Sequence, residues 1–265
     1  MIDAIGVFDS GVGGLTVVAA LRRRLPNESI LYLGDTARLP YGSKSPETVT
    51  RYTERNIDFL TGRGVKAVVV ACNTASALAL PHIQPPVPTW GVIEPGARRA
   101  AAVSGGRVGV IATEATVRSD AYARALRRER EDLEILSRSC PLFVPLVEEG
   151  WTDDPVTEQI ARRYLEPLLA AEVDTLVLGC THYPLLVPVL SRVAGPGVTL
   201  VDSAEQVADV VAAGLAENGL ETGLEAHGGG PGHHLCVTDA GENFQHIARR
   251  ILGDPHLSLE WVEVA

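Results

Sequence analysis

Residues 65–76, VKAVVVACNTAS, and residues 173–184, VDTLVLGCTHYP, decide the reading of the fold. Each is a short apolar run that stops at a cysteine and gives way to a polar turn. Neither run alternates polar with apolar residues, which suits a strand buried on both faces of a parallel sheet. The two align without gaps and share Val65 with Val173, Val69 with Val177 and Cys72 with Cys180. Gly6-Val7 and Gly109-Val110 pair in the same way upstream. This spacing predicts two similar units facing each other, each with one cysteine at the carboxyl end of a strand. Open α/β sheets bind ligands at those ends.

Outward from these runs the chain alternates strand with helix. AIGVFDS, ILYLGD, RVGVIAT, LEILSRSC, TLVDS and HLCVTD read as further strands. LTVVAALRRRL, SPETVTRYTERNIDFLTGRG, SDAYARALRRE, VTEQIARRYLEPLLA, THYPLLVPVLSRV, AEQVADVVAAGLAE and NFQHIARRIL read as helices. In the second of these, Ser45 is the expected N-cap, Pro46 the first helical residue and Gly62 a residue near the end. Such alternation gives an α/β fold with mainly parallel sheets joined by crossover helices. A boundary is expected at IEPG, residues 93–96. The first domain is then 1–96 with 206–265, and the second 97–205. PLFVPLVEEG reads as a loop.

With 265 residues and 46% apolar content, the chain can bury a core of one large or two modest domains. A formal charge of −10 argues against nucleic acid as a partner, since phosphate binding calls for a basic face. No apolar run approaches the ~18 residues of a membrane span. The first residues carry no export signal, so a cytoplasmic location is expected. GVGG lacks the spacing of a dinucleotide loop. GGGPGHH, with His227 nearby, reads as an exposed linker rather than a metal tract.

The four cysteines, 72, 140, 180 and 236, show no zinc-ligand spacing, so no metal is expected. Cys140 and Cys236 read as small buried hydrophobes. Cys72 and Cys180 each lie between a buried strand and an expected helix, whose N-terminal N–H groups lower a thiol pKa from ~8.5. Two thiols facing one amino acid suit inversion at Cα, where one group takes a proton and another returns one to the opposite face. A pyridoxal route needs a Schiff-base lysine. The only lysines are Lys44, in a polar loop, and Lys66, at the start of a strand, so a cofactor-free route is favoured.

Several neighbours read two ways. Asp9 and Ser10 stand beside a Gly-rich turn that can hold an anion or simply be capped. Asn73-Thr74 and Thr181-His182 follow the cysteines, either as substrate ligands or as caps. His182 is close enough in sequence to assist a thiol. Tyr41-Gly42 lies in a turn, and Thr113 and Thr116 mirror the Asp9 loop.

GVFDSGVGGLTV, DTARLPYGSKS, ACNTASA, GVIEPG, FVPLVEEG, GCTHYPLL and VDSA, in this order along nearly the whole chain, resemble the bacterial glutamate racemases of the aspartate/glutamate racemase family. The resemblance implies two pseudo-symmetric α/β domains with the active site in the cleft between them, and no metal or organic cofactor. It implies that Cys72 and Cys180 are the acid–base pair, Cys72 serving D-glutamate and Cys180 L-glutamate. Asp9, His182 and Glu148, with Glu149 as fallback, become their helpers. Ser10, Tyr41, Gly42, Asn73, Thr74 and Thr181 become substrate contacts, and Thr113 and Thr116 candidates. The implied role is supply of D-glutamate for peptidoglycan precursors. Assembly as a homodimer stays open, as do the same chemistry on aspartate and a binding role such as gyrase inhibition.

Overall fold

The computed structural model describes residues 3–222, 232–239 and 241–264. His227 and the glycines just after it lie outside the described residues. Strands β1 (Ala4–Asp9), β2 (Ser29–Gly34), β3 (Ala67–Val70) and β4 (Thr89–Gly91) pair in the order β2-β1-β3-β4. Strands β5 (Arg107–Ala112), β6 (Glu134–Ser139), β7 (Thr175–Gly179) and β8 (Thr199–Val201) form a second sheet in the order β6-β5-β7-β8. The order is the same. So is the register, with Val7 opposite Val69 in one sheet and Val110 opposite Val177 in the other. Strands β9 (His233–Val237) and β10 (Glu260–Trp261) extend the first sheet beyond β2, and every described pairing is parallel.

Helices α1 (Leu15–Arg24), α2 (Pro46–Gly62), α3 (Asn73–Leu78) and α4 (Ile93–Val103) follow β1, β2, β3 and β4 in turn. The second unit carries α5 (Glu114–Arg118), α6 (Ala121–Glu129), α7 (Phe143–Glu148), α8 (Pro155–Ala170) and α9 (Val187–Ala194). The chain then returns through α10 (Ala204–Glu217) and α11 (Glu242–Leu252). Both sheets are covered on both faces, and β3 and β7 are buried along their whole length and almost wholly apolar. On β1, Ile5 and Val7 face a core shared with Leu21, Val211 and Ile247, while Ala4 and Phe8 face one shared with Val49 and Leu60. Burying each such Val or Leu is worth roughly 1.5–3 kcal/mol. Strand β6, at a sheet edge, is polar and half exposed.

Local chemistry sets the helix starts. Ser45 accepts from the Thr48 N–H at 3.3 Å with Pro46 opening α2, and Asp154 accepts from the Val156 N–H at 2.7 Å with Pro155 opening α8.

Two expectations fail for a shared reason. Residues 93–96, read as a break, form the first turn of α4, and PLFVPLVEEG contains α7 rather than a loop. Pro95 and Pro145 each occupy the third helical position, where the missing N–H has no intrahelical partner to lose. The boundaries expected at residues 96 and 205 therefore cut through α4 and α10. THYPLLVPVLSRV is also not one helix, because a 3-10 turn over Tyr183–Leu186 precedes α9. Among the described residues no helix is long and apolar enough to cross a membrane.

Candidate active site

Cys72 leaves β3 and caps α3, and Cys180 leaves β7, so equivalent strand ends deliver the two thiols. Both line one cavity of about 20 Å³, room for about one water-sized group. Ser10, Tyr41, Gly42, Asn73, Thr74, Thr113, Thr181 and His182 line it too, together with Leu39, Pro40 and Val144. Asp9, Thr116 and Glu148 stand one hydrogen bond behind. Asp9 accepts from Thr181 Oγ1 at 3.0 Å and from the Gly11 N–H at 2.9 Å. Thr116 closes a triangle of hydroxyls with Thr74 and Thr113, at 3.1 and 2.9 Å. Glu148 Oε1 lies 2.6 Å from His182 Nε2, so it is Glu148, not Glu149, that reaches the histidine. All four cysteines are free thiols.

The two units meet closely here. A Cβ on Gly13 would lie 2.5 Å from Thr181 Oγ1 and 2.7 Å from the Thr181 carbonyl carbon. One on Gly42 would lie 2.5 Å from Thr113 Cβ. Thr74 and Thr113 bridge the units directly at 2.9 Å.

The thiols differ in their partners. Cys72 Sγ donates to Ser10 Oγ at 3.8 Å. Burial pushes it up to about 12, the Asp9 charge adds to that, and the Ala75 N–H opposes it. The expected lowering at a helix N-terminus is thus overturned, because one N–H does not offset desolvation. Cys180 Sγ lies 3.9 Å from His182 Nδ1. Burial by itself disfavours the His182 cation, but hydrogen bonds to Cys180 and Glu148, and their negative charge, raise it well above the usual imidazole range. Burial raises Asp9 also, against the opposing pull of the His182 charge and the Gly11 and Thr181 donors.

The lysines stand apart from this chemistry. Lys66 Nζ pairs with Glu28 Oε2 at 2.7 Å, both buried, at the opposite end of β3 from Cys72. Neither Lys66 nor Lys44 lines the cavity. Among the described residues no cluster of His, Cys, Asp or Glu has the makings of a metal site.

Sequence reading missed the residues that hold the lining in place. Tyr41 donates to the buried Asp35 and accepts from Asn56 Nδ2 at 3.0 Å, which fixes the Pro40–Gly42 turn. Asn73 Nδ2 donates to Tyr122 at 2.7 Å, and Tyr122 meets Ser203 at 3.0 Å. Asp35 and Ser203 lie inside the recognised DTAR and VDSA motifs, the one available signal for either.

A cleft that puts two thiols on one cavity, with a carboxyl and an imidazole behind them, suits two-sided proton transfer. The sequence matches the Asp/Glu/hydantoin racemase family over residues 15–211. The chain belongs to this family. A racemase relative named glutamate racemase, from Geobacter metallireducens, is 55% identical over 94% of this chain and 93% of its own. Among racemase structures, glutamate racemase from Francisella tularensis in complex with D-glutamate superposes with a TM-score of 0.91 at 36% identity, covering 99% of this chain and 98% of that one. A glutamate racemase isoform from Bacillus anthracis gives 0.92 at 40% identity with the same coverage.

Proposed function

We propose that this chain interconverts L- and D-glutamate without a cofactor, Cys72 and Cys180 exchanging the Cα proton on opposite faces. The observation that carries this reading is the meeting of both thiols on one cavity from equivalent strand ends. The full-length similarity to glutamate racemases supports the substrate.

From L-glutamate, the Cys180 thiolate takes the Cα proton. The C–H electron pair passes into the α-carboxylate, and the Cys72 thiol gives its proton to the other face. From D-glutamate the roles reverse. His182 supplies positive charge beside Cys180 and is held by Glu148, while Asp9 stands between the two sides. Ser10, Gly42, Asn73, Thr74, Thr113 and Thr181 offer donors and acceptors to the substrate carboxylates and ammonium, with Tyr41 shaping the wall and Thr116 backing Thr74. A cavity of about 20 Å³ admits glutamate only when the loops part. The lobes taken to part are the two sheet units, with α4 and α10 each staying whole. The product, D-glutamate, serves peptidoglycan precursor synthesis in the cytoplasm.

Optical rotation of L-glutamate incubated with metal-free, pyridoxal-free protein tests the reading. Rotation is expected to decay to zero, and far more slowly with L-aspartate. A constant signal from folded protein rejects it.

A further inference from the structure

Tyr122 reaches the immediate neighbours of both cysteines. It is the second residue of α6 and only 2% exposed. Its hydroxyl accepts from Nδ2 of Asn73, the residue after Cys72, at 2.7 Å. Its ring packs against the residue before the other cysteine, since a Cβ on Gly179 would lie 3.0 Å from Tyr122 Cε2. Ser203, 3.0 Å from the same hydroxyl, stands at the start of α10, where the chain crosses back to the first sheet.

We infer that Tyr122 is a positioning residue that spaces the two thiols, its ring bracing the Gly179–Cys180 strand end and its hydroxyl holding the Asn73 amide beside Cys72. This rests on the racemase reading and adds to it a single side chain on which both halves of the site are aligned.

The hydrogen-bond polarity supports the role. Asn73 donates its amide to Tyr122, and Tyr122 and Ser203 share a second hydrogen bond that can run in either direction. Burial raises the Tyr122 hydroxyl above the usual phenol range, so it keeps its proton while it accepts from Asn73. One end of the Asn73 amide is thereby fixed against the second unit, which leaves Oδ1 for the substrate side. The ring has no slack either. The same Gly179 Cβ would lie 2.9 Å from both Ala112 Cβ and the Ile111 carbonyl oxygen, so the strand end is packed from two directions. Small misplacements of reacting groups are costly in such a site.

The test separates ring from hydroxyl. Tyr122→Phe keeps the ring, and is expected to lower kcat/KM about 10-fold, mostly through KM, as for one lost hydrogen bond. Tyr122→Leu removes a packed ring, so it is expected to lower Tm and also to lower kcat further, measured at a temperature where the variant stays folded. Asn73→Ala combined with Tyr122→Phe decides the matter. Because the hydroxyl acts through Asn73, Tyr122→Phe is expected to add nothing to KM in that background. An undiminished Tyr122→Phe effect there overturns the inference, as does a Tyr122→Phe protein of lowered Tm with unchanged KM and kcat. Should Tyr122→Phe fail to fold, Ser203→Ala takes its place in the same cycle, with a smaller rise in KM that also vanishes beside Asn73→Ala. A wild-type protein that does not racemise glutamate at all refutes the underlying reading instead.

Discussion

Cys72 and Cys180 end equivalent strands of two sheets with the same order and register, yet their surroundings are unlike. Beside Cys72 stand a hydroxyl, Ser10, and the nearby charge of Asp9, and the thiol is pushed up to about 12. Beside Cys180 stands His182, held as a cation and backed by Glu148 at 2.6 Å. The repeat fixes where the sulfurs sit, whereas the residues just after each strand decide how each sulfur gains or loses a proton. A thiol raised by burial in this way holds its proton more firmly than a free one. Burial thus favours the protonated form of Cys72, the form that donates when L-glutamate is the substrate.

The largest expected effect comes from removing either sulfur. Cys72→Ser and Cys180→Ser should each lose racemisation by about 10³-fold or more, since a hydroxyl is a poor acid–base group near neutral pH. In D₂O the survivors should differ, Cys72→Ser labelling L-glutamate and Cys180→Ser labelling D-glutamate without inversion. The reverse pattern overturns the assignment of faces, and near wild-type racemisation by both variants ends the two-thiol reading.

Next in size is Gly13→Ala. The added Cβ meets the Thr181 backbone, which cannot rotate away, so the turn after Cys180 must move. A loss of about 10²-fold is expected for displacement on the ångström scale. Gly42→Ala meets only the Thr113 side chain and should cost less. Equal losses break the claim that a contact with the Thr181 backbone costs more than one with the Thr113 side chain.

Smaller again is the effect of Asp9→Asn on Cys72. The Asp9 charge raises this thiol, so its removal should lower the Cys72 pKa and speed alkylation by iodoacetamide several-fold at pH 8. Peptide mapping of labelled Cys72 reads the result. An unchanged or slower rate shows that burial alone controls the Cys72 side.

Strands β3 and β7 were legible because burial on both faces writes itself into an unbroken apolar run. The cysteines and their flanking residues were legible because the repeat marks matched positions. Helices α4 and α7 were not, because proline in a first turn reads in sequence like a break. The direction of the Cys72 shift was not legible either, since desolvation depends on what packs over the thiol rather than on what adjoins it. Tyr122 lay hidden for the same reason, its partners Asn73 and Ser203 being 49 and 81 residues away.

The smallest effect probes the Cys180 side through Glu148→Gln. His182 is raised by hydrogen bonds and by the charges of Cys180 and Glu148, against the opposing pull of burial. Replacing the carboxylate with an amide removes one of those charges, so the His182 pKa should fall, and imidazole NMR shifts against pH read it directly. The stability consequence has a definite sign. A folded-state pKa raised above the unfolded value of ~6.5 stabilises fully below that value, and the gain is lost as pH rises through the raised one. Wild type should therefore exceed Glu148→Gln in Tm most clearly below about pH 6.5, the gap narrowing as pH rises above it. Racemisation should fall only a few-fold, because Cys180 keeps His182. Initial rates from the two enantiomers need care here. L- and D-glutamate have equal free energy in water, so kcat/KM must fall equally in both directions. The one-sided character appears instead as a larger primary isotope effect with 2-deuterio-L-glutamate than with its enantiomer. An equal change in both isotope effects means that His182 serves both thiols, and the contrast between the two sides collapses.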